Sequence, residues 1–334
     1  MKTLQAKLER LWYRSRPGLI SYLLLPLTWL FTLIVIVRRW LYRKNIKRVS
    51  QLNVPVIIVG NITVGGTGKT PLVIYLVELL RRHGYHPGVV SHGYQGNNIA
   101  DQMVNTASEP RAVGDEAVLI AMRTHCPVIV GRDRATVAKQ LLSQQNCNVI
   151  VSDDGLQHYA LARDIEIAVL DAERGVGNGL LLPAGPLRES AKRLHEVDFT
   201  VSNGEGPIDK FMMQLYADEV YRVSNPQERK PLSAWYGKTV HAVAGIGHPQ
   251  RFFQQLAAAG LNIIQQHAFP DHHTFGATEL VFADVFAVIM TEKDAVKCRN
   301  FNNEKLWCLP VTARLEREFD AKFLQQVQRA IGHA

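Results

Sequence analysis

The stretch Gly60-Asn61-Ile62-Thr63-Val64-Gly65-Gly66-Thr67-Gly68-Lys69-Thr70-Pro71 holds the residue types that grip a polyphosphate. Closely spaced glycines let backbone N–H groups turn inward, and a helix behind them adds its positive end. Lys69 reaches the outer phosphates as a point charge, and Thr70 offers a hydroxyl to Mg²⁺. Pro71 suits a first helical turn, where its missing N–H costs nothing. The flanks agree. Val54 to Val59 is a short apolar run that reads as a buried parallel strand. Leu72, Val73, Leu76, Leu79 and Leu80 recur at helical spacing up to a stop at Gly84. Strand, glycine turn, Gly-Lys-Thr and helix together make a P-loop, with Gly65, Gly66, Thr67, Gly68, Lys69 and Thr70 as the nucleotide contacts. Thr63 stands where the usual pattern has a glycine, which Gly65 and Gly66 are expected to offset. The bland alternative is a glycine turn that binds nothing.

Four more clusters carry acids, bases or rigid turns. Asn148 to Gly155 is a buried strand delivering Asp153 and Asp154 at its carboxyl end, where a P-loop protein brings an acid to Mg²⁺. An Asp-Gly turn is the plain alternative. Gly114-Asp115-Glu116 precedes an apolar helix. It reads equally well as a helix start with acids in its first turn or as a general base for a hydroxyl acceptor. Leu182-Pro183-Ala184-Gly185-Pro186-Leu187-Arg188-Glu189 is a rigid loop ending in charges, fit for fixing charged groups or for a structural turn. Phe269-Pro270-Asp271-His272-His273-Thr274-Phe275 follows a strand, the end at which ligands gather in open α/β sheets. No third ligand is spaced to make the His272-His273 pair a zinc site, so a histidine tuning a neighbouring carboxylate is the reading preferred.

These clusters need a sheet to hold them. From Val54 onward strand and helix signals alternate: strands at Val54–Val59, Gly88–Ser91, Val128–Val130, Asn148–Ser152, Ile165–Asp171 and Phe199–Val201, with helices such as Glu116–Thr124 and Arg134–Gln144 between. That alternation predicts a mostly parallel, doubly wound sheet. A second alternating set begins near Thr239 and ends in a helix over Asp320–Ile331. Residues 204–237 show no strong period, and the junction is placed there. The expected organisation is α/β in two domains: an N-terminal anchor and basic flank over 1–48, a P-loop domain over 49–228 and a smaller α/β domain over 229–334.

The 334 residues are 47% hydrophobic and 20% charged, with a net charge of +8, which marks a globular chain suited to an acidic partner. Cys126, Cys147, Cys298 and Cys308 show no metal or redox spacing and read as reduced thiols of a cytosolic compartment. Leu19 to Val37 is almost free of charge and, as a helix, reaches roughly 28 Å, about one hydrocarbon core. Pro26 is expected to kink it. Arg38, Arg39, Arg43, Lys44, Lys47 and Arg48 follow at once and are expected to lie against anionic lipid. A spanning helix and an interfacial anchor both remain open, while the missing cleavage site argues against a signal peptide. Positive charge concentrated beside an apolar segment, with no nucleic-acid motif elsewhere, points to a membrane rather than to nucleic acid.

Taken together and in order, Gly60–Pro71, Gly114-Asp115-Glu116, Ser152-Asp153-Asp154-Gly155-Leu156-Gln157-His158, Leu182–Glu189, Phe269–His273 and Thr291-Glu292-Lys293-Asp294 closely resemble the tetraacyldisaccharide 4′-kinase family of Gram-negative bacteria. The family also carries the Thr63 form of the loop. It usually shows Ser-Arg-Gly-Tyr where this chain has Ser91-His92-Gly93-Tyr94. The resemblance implies a kinase on the cytoplasmic face of the inner membrane. It would move the γ-phosphate of ATP to the 4′-hydroxyl of an acylated glucosamine disaccharide 1-phosphate in lipid A biosynthesis. It implies that Lys69 and Thr70 hold ATP and Mg²⁺, and that Asp115 is the base, assisted by His272 or His273. It leaves Asp153, Asp154, Glu116 and Glu189, with Arg188 beside it, to position metal or acceptor. A membrane-tethered nucleotide switch and a non-enzymatic scaffold are the rival readings. No Asn-Lys-x-Asp motif supports a GTPase, and intact Lys69, Thr70, Asp153 and Asp154 argue against a scaffold.

Overall fold

The computed structural model describes residues 11–14, 17–93, 101–206 and 211–333. Tyr94 and the basic residues Lys2, Lys7, Arg10 and Arg16 lie outside them. Two sheets carry the fold. The larger has nine strands in the order β15-β8-β7-β6-β1-β5-β2-β4-β3. Here β1 is Val56–Gly60, β2 Pro87–Ser91, β3 Gln102–Val104, β4 Val128–Val130, β5 Val149–Ser152, β6 Ile165–Asp171, β7 Phe199–Asn203, β8 Phe211–Tyr216 and β15 Thr312–Arg314. Neighbours pair in parallel except at the two edges, where β3 runs antiparallel to β4 and β15 to β8. The central strands β1 and β5 are buried along their whole length, as continuous apolar runs between two helical layers must be.

Helices cover both faces. Leu72, Val73, Leu76, Val77 and Leu80 of the helix Lys69–Arg82 pack on one face, together with Val118 and Ile120 of the helix Asp115–Thr124. Phe319, Phe323 and Val327 of the last helix, Arg317–His333, join the same core, with Phe199 edge-on to Phe319. On the other face, Val137, Ala138 and Leu141 of the helix Arg134–Gln144 meet Ile58, Ile129 and Ile150.

The second sheet has six strands in the order β10-β9-β14-β13-β11-β12. They are β9 Glu219–Arg222, β10 Asn225–Pro231, β11 Thr239–Ala244, β12 Asn262–Ala268, β13 Ala287–Thr291 and β14 Leu306–Leu309. The chain enters this sheet at Glu219, inside the stretch 204–237, and pairs with the first sheet again through β15. The strand β10, with polar residues from Gln227 to Lys230, shows little alternation because neither of its faces is buried. Ion pairs join the layers of the two sheets, among them Arg123, whose Nη1 lies 2.8 Å from both carboxylate oxygens of Glu292.

Near the N-terminus a short helix, Leu19–Leu23, is followed by a longer one, Leu25–Arg43. The break falls just ahead of Pro26, whose ring clashes with the preceding turn. The longer helix is long and apolar enough to cross a membrane. It touches the body through Thr28, which accepts from Ala184 N at 3.1 Å and donates to Leu181 O. Leu27, Leu30, Leu33, Ile34 and Val37 stay exposed. Part of its basic end reaches the body. Arg39 and Arg43 pair with Glu196, and Arg38 donates to Gln157 O at 3.0 Å.

Candidate active site

The P-loop leaves β1 at the centre of the large sheet and turns into the helix Lys69–Arg82 at Gly68. Gly68 has φ +95, a left-handed conformation that a side chain would strain, and a Cβ there would lie 2.4 Å from the Asn203 amide nitrogen. That amide donates to Thr67 O at 3.1 Å, fixing the loop from β7. A second clamp comes from the smaller sheet: Gly247, in the turn after β11, packs its backbone on Gly66.

A cleft of about 600 Å³ opens at the carboxyl ends of β1, β2 and β5. Its walls include Gly65, Gly66, Lys69, Asp115, Glu116, Asp153, Asp154, Arg188 and His272. The P-loop, the acids after β5, the Gly-Asp-Glu turn and the Pro-Asp-His-His turn, read separately from sequence, thus meet in one space. Thr67 and Thr70 line instead an adjoining, more apolar cavity of about 460 Å³, with Glu116 between the two. Glu189 is not on the cleft wall. It is buried behind it, accepting from Gln157 Nε2 at 2.7 Å and from the Tyr159 hydroxyl. Its neighbour Arg188 does reach the cleft and pairs with Asp154 at 3.1 Å.

The two histidines diverge. His272 Nδ1 lies 2.9 Å from Asp115 Oδ1. His273 faces Glu279 and stacks on Phe269, away from Asp115. The separation follows from the backbone, since His272 sits at φ +58 and throws the two side chains to opposite sides of the turn. Burial pushes the Asp115 carboxyl up, but the His272 hydrogen bond and the charges of Lys293 and Lys297 outweigh it and hold it at about 2.

The adjacent aspartates differ sharply. Asp154 is only partly buried: desolvation pushes its carboxyl up, but Lys69, at 3.4 Å, and Arg188 and Arg134 outweigh this and hold it well below the usual carboxylate range. Asp153 is 1% exposed, and neither carboxylate oxygen has a hydrogen-bond partner among the described residues. Burial, with Glu116 and Asp154 adding to it, pushes its carboxyl up to about 7. A buried, unpartnered carboxylate beside a P-loop is what a divalent cation site requires, so the residues present fit Mg²⁺.

Sequence reasoning missed Arg134. It follows the helix cap Asp133 and reads as an ordinary helix start, yet it is buried under the cleft and donates to the carbonyls of Asp153 and Asp154. Burial brings its guanidinium down to about 10. His92, standing for the arginine of the usual pattern, lines the cleft, its ring 5.8 Å from that of His158.

Comparison with known proteins places the chain in a family. A family model described as tetraacyldisaccharide-1-P 4′-kinase matches residues 20–328. The chain is 49% identical over 324 residues to the tetraacyldisaccharide 4′-kinase of Methylobacillus flagellatus, with 96% of each chain covered. It is 45% identical over 326 residues to that of Coxiella burnetii, covering 97% of this chain and 96% of the relative. Among solved structures it is similar to the "apo" form LpxK from Aquifex aeolicus in complex with ATP, at 28% identity and a TM-score of 0.78, covering 94% of this chain and 100% of that one. On a model spanning nearly the whole sequence and relatives almost half identical end to end, the chain belongs to the tetraacyldisaccharide 4′-kinase family.

Proposed function

We propose that this chain transfers the γ-phosphoryl group of ATP to the 4′-hydroxyl of an acylated disaccharide 1-phosphate, with Asp115 as the base. The observation that carries the reading is one cleft holding both Lys69, on the phosphate-binding loop, and the Asp115–His272 pair. Asp115 takes the proton from the acceptor hydroxyl as its oxygen forms the bond to the γ-phosphorus. The bond from that phosphorus to the β,γ-bridging oxygen breaks, and ADP leaves. A carboxylate held at about 2 is a weak base but is always ionised and aimed. A loose phosphoryl-transfer transition state asks for positioning more than basicity. Lys69 and Arg188 offer cations to the phosphates, and Asp154 keeps both of them turned into the cleft. Asp153, with Thr70 and Glu116, would hold Mg²⁺, which when bound neutralises charge on the β- and γ-phosphates.

The acceptor is a lipid, so the chemistry has to be brought to a bilayer. The apolar helix Leu25–Arg43, rooted in the Leu182–Glu189 loop through Thr28, supports attachment at the cytoplasmic face of the inner membrane. The decisive assay supplies labelled ATP and a detergent-solubilised lipid A precursor and locates the label. Label on the 4′-position, lost in Asp115→Ala while nucleotide still binds, is the expected result. Vigorous hydrolysis without any lipid acceptor would instead favour a nucleotide switch, and transfer at the normal rate by Asp115→Ala would remove the base assignment.

A further inference from the structure

Behind the Asp115–His272 pair sits a buried ammonium. Lys293 Nζ lies 3.2 Å from His272 Nε2, 2.9 Å from Asp271 Oδ1 and 3.0 Å from Glu116 Oε1. It belongs to the Thr291-Glu292-Lys293-Asp294 motif. The other three residues of that motif have structural work. Thr291 caps the helix Glu292–Cys298, Glu292 pairs with Arg123, and Asp294 accepts from Gly245 N at 2.8 Å. Lys293 reaches the cleft-wall residues Glu116, Asp271 and His272, and burial there is offset by the carboxylates of Glu116, Asp115 and Asp271, which keep it charged.

We infer that Lys293 is a positioning residue that fixes the tautomer of His272, and through it the Asp115 carboxylate. The inference rests on the reading of Asp115 as the base. An ionised carboxylate only accepts hydrogen bonds, so His272 Nδ1, facing Asp115, carries a proton. An ammonium only donates, so Nε2, facing Lys293, presents its lone pair. Neighbours of opposite character on the two ring nitrogens leave one consistent state, the neutral Nδ1–H imidazole. Among the described residues, Asp271 Oδ2 lies 3.7 Å from Nε2, beyond hydrogen-bond reach, and Asp271 is itself tied to Lys293 through its other oxygen. Lys297, 3.6 Å from Asp115 Oδ2, is the other cation facing the pair. Without Lys293, Nε2 loses its donor and Asp271 loses its cation, so the tautomer that carries its proton on Nε2 and donates to Asp271 takes over. His272 Nδ1 then no longer donates to Asp115, and the carboxylate loses the hydrogen bond that aims it.

The experiment compares Lys293→Met, which removes the donor, with Lys293→Gln, whose amide still donates to Nε2 without charge. Ring-nitrogen NMR, with His272 assigned by its absence in His272→Asn, reports the tautomer directly. Turnover measured per folded enzyme reports the consequence. In Lys293→Met the Nδ1–H signature is expected to vanish and kcat to fall about tenfold or more, with KM for ATP within about threefold of the parent. Lys293→Gln is expected to keep the signature and most of the turnover, which a purely structural role for the charge would not produce. A parental signature in Lys293→Met overturns the proposal, as does a signature lost equally in both variants. Where Lys293→Met does not fold, a lost signature in folded Lys293→Gln is by itself enough to overturn it. Asp115→Ala, run alongside, separates the two readings. If it transfers phosphate normally, the base assignment fails whatever Lys293 does. If it is inactive while Lys293→Met turns over at the parental rate, only the Lys293 proposal fails.

Discussion

Arg134 holds Asp153 by its backbone: the guanidinium donates to Asp153 O at 2.6 Å, while among the described residues neither carboxylate oxygen of Asp153 has a hydrogen-bond partner. The protein thus fixes where this acid points without neutralising it. Such an arrangement is costly in the empty state and favourable once a cation arrives. Asp153→Asn is therefore expected to raise the stability of the metal-free protein, by about 1–2 kcal/mol, because a neutral amide escapes most of the penalty of a buried charge. The same variant is expected to lose the thermal shift that Mg·ATP produces in the parent. Differential scanning fluorimetry with and without Mg·ATP measures both, and a metal-free melting temperature lower than the parent's would contradict the account.

A close backbone contact makes a second prediction. A Cβ on Gly247 would sit 2.5 Å from Gly66 N, against main chain that has nowhere to give. Gly247→Ala is expected to push the phosphate-binding loop off its geometry while leaving both cores intact. ATP affinity should fall about tenfold or more while the melting temperature moves by only about 3 °C. Titration calorimetry beside a melting curve decides it. Equal affinity would mean that the smaller sheet merely touches the loop and does not shape it.

Much of this was legible in the chain itself, for physical reasons that vary from residue to residue. The run Val56–Gly60 and the glycines after it declare a buried strand and a phosphate loop because burial on both sides demands apolar continuity and tight turns demand glycine. The helix Arg134–Gln144 also announces itself by period and flanking signals. What stayed hidden depends on contacts distant in sequence. Nothing local distinguishes His272 from His273; the positive φ of His272 and a partner 157 residues away do. Strands β9 and β10, half exposed, carry little alternation, and β15 has only three residues whose role comes from pairing with β8. Glu189 looked like a cleft residue because Arg188 is one, but adjacent residues point apart, and Glu189 turns to Gln157 and Tyr159.

The anchor helix offers a test that truncation would blur, since Trp12 donates to Pro183 O and Thr28 binds the Leu182–Glu189 loop. Removing the segment disturbs the body as well as the membrane contact. Substituting residues on the exposed side of the helix avoids this. Leu30, Leu33 and Ile34 are exposed on the helix. The triple change to Glu is expected to release the protein from anionic vesicles, because burying charge in hydrocarbon costs about 2–3 kcal/mol per residue. Its activity on a short-chain, water-soluble acceptor should stay near the parental value. Sedimentation with vesicles measures release, and retention of the triple variant on them would remove this helix from membrane attachment.

Glu166 gives a prediction in pH. It pairs with Arg163 at 2.9 Å and with Arg193. Burial pushes its carboxyl up, but the hydrogen bonds from Arg193 and Arg163 outweigh that and leave it below the usual range. A carboxyl lowered on folding binds fewer protons in the native than in the unfolded state. Its contribution is therefore complete above the unfolded value and lost as pH falls through the folded one. Glu166→Gln removes that contribution and takes the nearest carboxylate away from two guanidiniums, of which Arg193 is buried, at a cost of about 2 kcal/mol near neutral pH. The gap in melting temperature between parent and Glu166→Gln should be widest above about pH 5 and should close as pH drops below about 4, where the parent's own carboxyl takes up a proton. Melting curves across that range measure it, and a gap that stays constant down to acid would show that the variant acts through packing and not through charge.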